Sequence, residues 1–217
     1  MVSPWTRPSP TLSTSSLHPL PVPSALAKQD LKRTTVLATQ SANRSWHPAT
    51  GGNFSVRDGD ICWVSPSGKH KGMLEWTAFL PVDYATAALV QPCYVKPSDE
   101  TALHCAVYRA DPNARAVMHV HPPHTTALVG KDFQLSNNEM LKAFGLKTHE
   151  TNVIIPSLPN TQDMDRLGQD VQLNLDLKLL VLEGHGVYAW GRNPDEAMFR
   201  IEALEFLCQL KSLAPSP

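Results

Sequence analysis

The segment Ala116-Val-Met-His-Val-His121 combines strand-forming residues with two histidines that are separated by a single valine. Side chains alternate between the two faces of a β-strand, so this spacing predicts that His119 and His121 point to one side and Val120 to the other. Two imidazoles in this arrangement can bind one metal ion, and zinc accepts nitrogen ligands of this kind. Taken alone, the motif is equally compatible with two surface or hydrogen-bonded histidines that bind no metal.

A third histidine, His185, has Gly184 and Gly186 on either side. It follows the apolar segment Leu179–Leu182, where one predicted strand turns into the next. Such a turn exposes the histidine and brings it close to backbone. Flanking glycines are more typical of a metal ligand than of a core histidine, because glycine permits close backbone approach.

Composition limits the class of protein. Of the 217 residues, 42% are hydrophobic and 18% are charged, which is typical of a globular protein with one domain. A formal net charge of -1 without long charged runs gives no indication of a nucleic acid partner. No apolar run approaches the roughly 20 residues that span a bilayer, so we expect no membrane segment. The four cysteines form no Cys-x-x-Cys pair and predict reduced thiols in a cytoplasmic protein.

The first 25 residues differ from the rest of the chain. They are rich in proline, serine and threonine, with prolines at positions 4, 8, 10, 19, 21 and 23. Proline prevents regular helix, and segments of this composition seldom bury enough apolar surface to fold. We predict a disordered extension over residues 1–25 and one folded domain over residues 26–213. The domain should open with an amphipathic helix that Ser24 caps.

Two glycine-containing segments precede the His-Val-His strand. Gly51-Gly-Asn53 enters a predicted strand, and Ser65-Pro-Ser-Gly68 is followed by the basic residues of Lys69-His-Lys71. Backbone N–H groups in such loops, and the Asn53 amide, can bind a phosphate. A plain turn explains the first segment equally well, and the second lacks the Walker A spacing.

Two carboxylates are also candidates. In Pro97-Ser-Asp-Glu100, Ser98 can be the N-cap of a helix, whereas Glu100 has no structural role that the sequence reveals. Glu139 lies in a predicted short helix over residues 137–144, among mostly apolar neighbours. A solvated acid on the surface of this helix explains Glu139 equally well.

Together these motifs resemble the class II aldolase and adducin family, whose members carry them in the same order, over about residues 26–213. The motifs are Gly51-Gly-Asn53, Ser65-Pro-Ser-Gly68, Pro97-Ser-Asp-Glu-Thr101, His119-Val-His121 and Gly184-His-Gly186. The resemblance implies an α/β fold, a three-layer α/β/α sandwich with a mainly antiparallel central sheet. It also implies a homotetramer with one zinc ion per subunit at a subunit boundary.

The resemblance also implies which residues form the site. The zinc ligands of the family correspond to His119, His121 and His185. Three imidazoles would also accept iron, cobalt or manganese. Its substrate-binding residues correspond to Asn53, Ser67, Gly68 and Ser98. We exclude Asp99, where the aldolases have serine, because a carboxylate would repel a phosphate.

Within the family, four segments resemble the dehydratase branch: Pro48-Ala-Thr-Gly-Gly-Asn-Phe-Ser55, Ser67-Gly-Lys-His-Lys-Gly72, Glu139-Met-Leu-Lys142 and Gly184-His-Gly-Val-Tyr-Ala-Trp-Gly191. That branch acts on a small-molecule sugar phosphate, converting 5-methylthioribulose 1-phosphate to 2,3-diketo-5-methylthiopentyl 1-phosphate in methionine salvage. The resemblance implies Glu139 as the general acid/base, with Glu100 assisting beside the substrate or metal.

Three alternatives remain open. A class II sugar-phosphate aldolase would use the same fold with Glu100 as acid/base, and a pentulose-phosphate 4-epimerase would share the zinc and phosphate sites. A non-catalytic adducin-like scaffold would be expected to lack the three histidines.

Overall fold

The computed structural model describes residues 21–147, 151–161, 163–172 and 175–214. Most of the predicted N-terminal extension, residues 1–20, lies outside this part of the chain. The α-helices are α1 Ala25–Asn43, α2 Thr101–Ala110, α3 Pro123–Leu128, α4 Met164–Gln172 and α5 Pro194–Leu213. The strands are β1 Asn53–Asp58, β2 Ile61–Val64, β3 Leu80–Asp83, β4 Ala88–Leu89, β5 Ala116–Val120, β6 Gln134–Leu135, β7 Val153–Ile154, β8 Ser157–Leu158, β9 Leu179–Leu182 and β10 Gly186–Gly191. Short 3-10 helices cover Lys71–Met73, Trp76–Ala78 and Glu139–Phe144.

Helix α1 begins where the sequence predicts it. The Ser24 hydroxyl accepts a hydrogen bond from the Ala27 N–H at 3.2 Å, which is the interaction of an N-cap residue. Ser24 also donates through its N–H and its hydroxyl to the Asp58 carboxylate, both at 2.7 Å. These bonds join the start of α1 to the turn that connects β1 and β2.

The central sheet has eight strands in the order β4-β3-β2-β1-β5-β10-β9-β8. Every neighbouring pair is antiparallel except β8 and β9, which are parallel. Strand β5, which carries His119, lies in the middle between β1 and β10. Strands β6 and β7 form a separate two-stranded sheet.

Helices cover both faces of the sheet. On one face α1, α3 and α5 pack over Met118 and Val120 of β5, and on the other α2 and α4 pack over Val117. Because side chains alternate along a strand, β5 contributes to both cores. His119 shares the α2 face with Val117. The predicted α/β/α sandwich with a mainly antiparallel sheet is confirmed.

One local prediction is wrong. Helix α2 begins at Thr101 rather than directly after Ser98, so Ser98 is not its N-cap. The Ser98 hydroxyl accepts instead from the Glu100 N–H at 3.3 Å, and the Ser98 carbonyl accepts from the Thr101 N–H at 3.1 Å. Residues 98–100 therefore form a turn before the helix, and the Ser98 side chain remains available at the surface of a cleft.

Two further expectations concerned a membrane segment and the state of the cysteines. No helix in this part of the chain is long and apolar enough to cross a lipid bilayer. Cys62, Cys105 and Cys208 are buried free thiols, and Cys93 is an exposed one.

Candidate metal and substrate site

Sheet register brings the site together at one end of three neighbouring strands. Asn53 of β1 pairs with His119 of β5, and His119 pairs with Tyr188 of β10, so the three side chains lie in one row. His121 follows the end of β5. His185 lies in the turn between β9 and β10, where its N–H donates to the Leu182 carbonyl at 3.0 Å. Residues far apart in sequence thus converge on one point.

The three histidines have the geometry of a metal site. His119 and His121 project to the same side, and their Nε2 atoms are 3.0 Å apart. One nitrogen from each of His119, His121 and His185 can be chosen so that all lie within 4.8 Å of one another. Two nitrogens bound to one zinc ion at about 2.1 Å are themselves about 3.0–3.4 Å apart. The group could therefore hold a metal ion with small movements of the rings.

His119 and His121 are also in the neutral form that can bind a metal ion. His119 is fully buried, and its Nδ1 lies 3.1 Å from the Val187 carbonyl. A ring that donates there keeps its Nε2 lone pair free. Burial lowers the pKa of His119 to about 3 and that of His121 to about 4, with neighbouring histidines adding to the effect. Both rings are therefore neutral at pH 7, as metal binding requires.

Glu100 faces the histidines from the start of α2. Its Oε2 is 3.4 Å from His119 Nε2, and its Oε1 is 3.4 Å from His185 Nε2. Burial would raise the pKa of Glu100, but the attraction of His119 and the hydrogen bond from the Asn53 amide outweigh it, and the pKa falls to about 2. Glu100 is consequently a carboxylate at neutral pH. It can accept a proton or attract a cation at this point.

A cleft of about 310 Å³ opens beside the histidines. It is lined by all five residues predicted to contact substrate, together with two of the predicted metal ligands: Asn53, Ser67, Gly68, Ser98, Glu100, His121 and His185. His119 is fully buried and does not itself line the cleft. Gly51 and Gly52 also line the cleft, and a Cβ at Gly51 would lie 2.9 Å from His121 Cε1. The glycine pair thus lets the backbone pack against the candidate ligands.

Lys71 and Asp99, which we did not assign to the site, also line the cleft. Lys71 is 2% exposed, and its ammonium donates to the carbonyls of Thr50 at 2.9 Å and Lys69 at 2.8 Å. The basic content of residues 69–71 was the only signal for it. Asp99, which we excluded from the site, lies on the cleft wall and is exposed. A phosphate in the cleft would therefore meet one ammonium group, that of Lys71, and two carboxylates, those of Asp99 and Glu100, besides the polar groups.

Glu139 lies elsewhere. It begins the 3-10 helix Glu139–Phe144, its side chain is 67% exposed, and its Oε1 is 2.5 Å from the Lys142 ammonium. Glu139 is not among the residues that line the cleft. The described part of a single chain therefore brings Glu100, but not Glu139, to the histidines.

The fold and the site define the class of protein. A family model described as Class II Aldolase and Adducin N-terminal domain matches residues 34–212, and the chain belongs to this family. Its sequence relatives include a methylthioribulose-1-phosphate dehydratase of Granulibacter bethesdensis, 43% identical over 77% of this chain and 85% of that protein. Another, from Methylococcus capsulatus, is 40% identical over 78% of this chain and 86% of that protein.

Solved structures share the fold at lower identity. An l-fuculose-1-phosphate aldolase from Thermus thermophilus superimposes with a TM-score of 0.68 at 24% identity, covering 85% of this chain and 95% of that one. YgbL from Escherichia coli has a TM-score of 0.73 at 24% identity, covering 88% and 93%. At this identity the likeness concerns the fold alone.

Proposed function

We propose that this protein dehydrates 5-methylthioribulose 1-phosphate to 2,3-diketo-5-methylthiopentyl 1-phosphate, a step of methionine salvage. The observation that carries the proposal is the 40–43% identity to methylthioribulose-1-phosphate dehydratases over most of both chains. The three histidines beside a polar cleft give further support, because the reaction acidifies a C–H bond next to a carbonyl.

We propose zinc as the metal, held by His119, His121 and His185. The donor set suits it, since all three ligands are imidazoles and at least two are neutral at pH 7. Bound zinc would act as a Lewis acid on the ketose carbonyl and its neighbouring hydroxyl. His119 is held for this role by the Val187 carbonyl, which fixes the ring orientation.

The phosphate end of the substrate would lie against Asn53, Ser67, Gly68 and Ser98. Lys71 supplies positive charge on the same wall, and it offsets the repulsion expected from Asp99. Because Lys71 is almost fully buried, its charge acts at the cleft with little screening by water. This arrangement would orient the substrate with its carbonyl toward the histidines.

The proton transfers need a general acid/base. The base removes the proton from the carbon between the carbonyl and the leaving hydroxyl, and that hydroxyl departs as water after protonation. We propose Glu139 for this role, with Glu100 as the ionised helper at the histidines. Since Glu139 is exposed and lies outside its own chain's cleft, the proposal requires Glu139 to enter the cleft of a neighbouring subunit. This role of Glu139 therefore requires a homo-oligomer, and we propose a homotetramer. We also propose that the protein is cytoplasmic.

The test is incubation of the purified, zinc-loaded protein with 5-methylthioribulose 1-phosphate and analysis of the products. We expect the diketone and one equivalent of water, and no turnover after removal of the metal by a chelator. Glu139→Gln should keep bound zinc but lose about 10²–10⁴-fold in kcat. Normal dehydration by that variant would refute the role of Glu139.

A class II sugar-phosphate aldolase is the second candidate. One observation favours it, namely that Glu100, the acid/base expected of an aldolase here, is the carboxylate that faces the histidines. The same incubation distinguishes the two reactions. Retro-aldol fragments in place of the diketone would overturn the dehydratase proposal in favour of the aldolase.

A further inference from the structure

A fully buried histidine lies directly behind the candidate site. His104 of α2 is 0% exposed and stands four residues after Glu100, so both side chains project from the same side of the chain at the start of the helix. Both of its ring nitrogens have partners. Nδ1 lies 2.7 Å from the Ser55 hydroxyl, and Nε2 is hydrogen-bonded to Oδ1 of Asn53. The proposed chemistry gives this residue no role.

The donors and acceptors around His104 can be assigned in only one consistent way. The ionised Glu100 only accepts, so the Asn53 amide must present its NH₂ to Glu100 Oε2, 2.5 Å away. Oδ1 of Asn53 then faces His104, and Nε2 of His104 must carry the proton. A neutral ring protonated there accepts at Nδ1, and the Ser55 hydroxyl supplies that hydrogen.

The chain of hydrogen bonds continues to the interior of the protein. Once Ser55 donates to His104, its oxygen accepts from the Tyr108 hydroxyl, 2.7 Å away. Ser55 and Tyr108 are 0% and 1% exposed, so water does not compete for these bonds. All four bonds therefore run in one direction, from Tyr108 through Ser55, His104 and Asn53 to Glu100.

We infer that His104 is a positioning residue, which fixes the amide of Asn53 so that its NH₂ group faces Glu100 and the cleft. If His104 did not donate, the Asn53 amide could turn over and place its carbonyl oxygen against the Glu100 carboxylate. It would then offer an acceptor where a phosphorylated substrate needs a donor.

The state of the ring supports this inference. Burial lowers the pKa of His104 to about 4, although the charge of Glu100 opposes the shift. The ring is therefore neutral at pH 7, with one donor and one acceptor. A doubly protonated ring would donate to Ser55, which would then donate to Tyr108, so the hydrogen of the Tyr108 hydroxyl would lose its bond to Ser55.

A matched pair of substitutions tests the inference, which rests on the proposed dehydratase activity. In His104→Gln the side-chain NH₂ reaches the position of Nε2 and keeps the donor toward Asn53. In His104→Asn the shorter amide retains the Ser55 contact but does not reach Asn53. We expect His104→Asn to lose about 10–100-fold in kcat/KM with zinc content unchanged, and His104→Gln to stay within about threefold of wild type.

Two controls separate positioning from stability. Thr34→Val removes another fully buried hydroxyl, which bonds to the Asp30 carbonyl at 2.8 Å on the opposite face, and it should lower the melting temperature without changing kcat/KM. The double variant His104→Asn/Asn53→Ala should be no less active than Asn53→Ala alone, because His104 acts through Asn53. Additive losses, or equal losses in the Gln and Asn variants, would overturn the inference.

A second readout does not depend on turnover. Long-range ¹H–¹⁵N NMR of protein labelled at histidine should show His104 as the neutral ring protonated on Nε2, assigned by its absence in His104→Gln. Protonation on Nδ1 would refute the inference whatever the activity. A wild-type protein that fails to dehydrate the substrate while His104 has the Nε2–H form would refute the proposed function and leave the positioning of Asn53 supported.

Discussion

Gly186 is the position at which one added methyl group should disturb the metal site most directly. A Cβ built there would lie 2.5 Å from His121 Cδ2, 2.6 Å from the Val120 carbonyl oxygen and 3.1 Å from His119 Cε1. Ordinary contacts between such atoms are about 3.5–4.0 Å. The overlap with Val120 is about 1 Å, and the pairing of Val187 with Val120 prevents the carbonyl from moving away.

We expect Gly186→Ala to lower the free energy of unfolding by about 2–3 kcal/mol, the usual cost of overpacking a tight site. For a chain of this size each kcal/mol corresponds to about 2–4 °C, so the melting temperature should fall by about 4–12 °C. The displaced rings should also weaken zinc binding by at least about tenfold. Thermal unfolding of the metal-free protein and competition with a chromophoric chelator measure the two effects.

Gly59→Ala is the matched control. Gly59 has φ +63° in the turn between β1 and β2, and a Cβ there would meet no atom within 4 Å. Backbone strain should cost about 1–2 kcal/mol, and zinc affinity should not change. The steric argument fails if Gly186→Ala binds zinc as tightly as wild type and melts no lower than Gly59→Ala.

Three further predictions concern other groups. The pKa of His104 is about 4 in the folded protein and about 6.5 in the unfolded chain. Between these pH values the unfolded chain binds a proton that the folded protein does not, so the folded state loses stability as the pH falls. Wild type should therefore lose about 3 kcal/mol more stability than His104→Gln between pH 7 and pH 4 in urea titrations of the metal-free protein; equal losses would contradict the shift. Lys71→Met removes the buried cation of the cleft and should raise KM about tenfold with little change in kcat, whereas an unchanged KM would exclude Lys71 from the phosphate site. Glu205 accepts from the N–H groups of His124 and Thr125 at 3.1 Å and 2.8 Å, so Glu205→Ala should destabilise the protein by about 2 kcal/mol in chemical unfolding, with Glu205→Gln less affected.

Local sequence patterns predicted individual elements, whereas the α/β/α architecture was predicted from the resemblance to the family. The alternation in Ala116-Val-Met-His-Val-His121 placed His119 and His121 on one side of β5, and the structure confirms it. The capping hydroxyl of Ser24 located the start of α1. These predictions succeed because strand alternation and helix capping depend on residues within a few positions of one another.

One local prediction failed, and two residues at or behind the cleft were not predicted. Ser98 was assigned to a helix cap but lies in a turn, because residues 98–100 bond among themselves before α2 begins. Lys71 and His104 were not assigned to the site, because a residue's position near Gly68 or Glu100 in the sequence does not show whether its side chain lines the cleft or is buried behind it. Glu139 stays a prediction that a single chain does not explain.

The two glycines beside His185 illustrate the division between sequence and tertiary structure. The sequence alone indicated that they serve a ligand, but not how. Gly184 has φ +67° with open space around its Cα, so the turn conformation requires it. Gly186 is needed because the rings of His119 and His121 and the Val120 carbonyl leave no room for a Cβ there. The sequence by itself determined the local features, namely the common side of β5 for His119 and His121 and the start of α1 at Ser24. Which residues meet across β1, β5 and β10 was decided only by sheet register, because hydrogen-bonded pairing brings together groups that lie more than sixty residues apart.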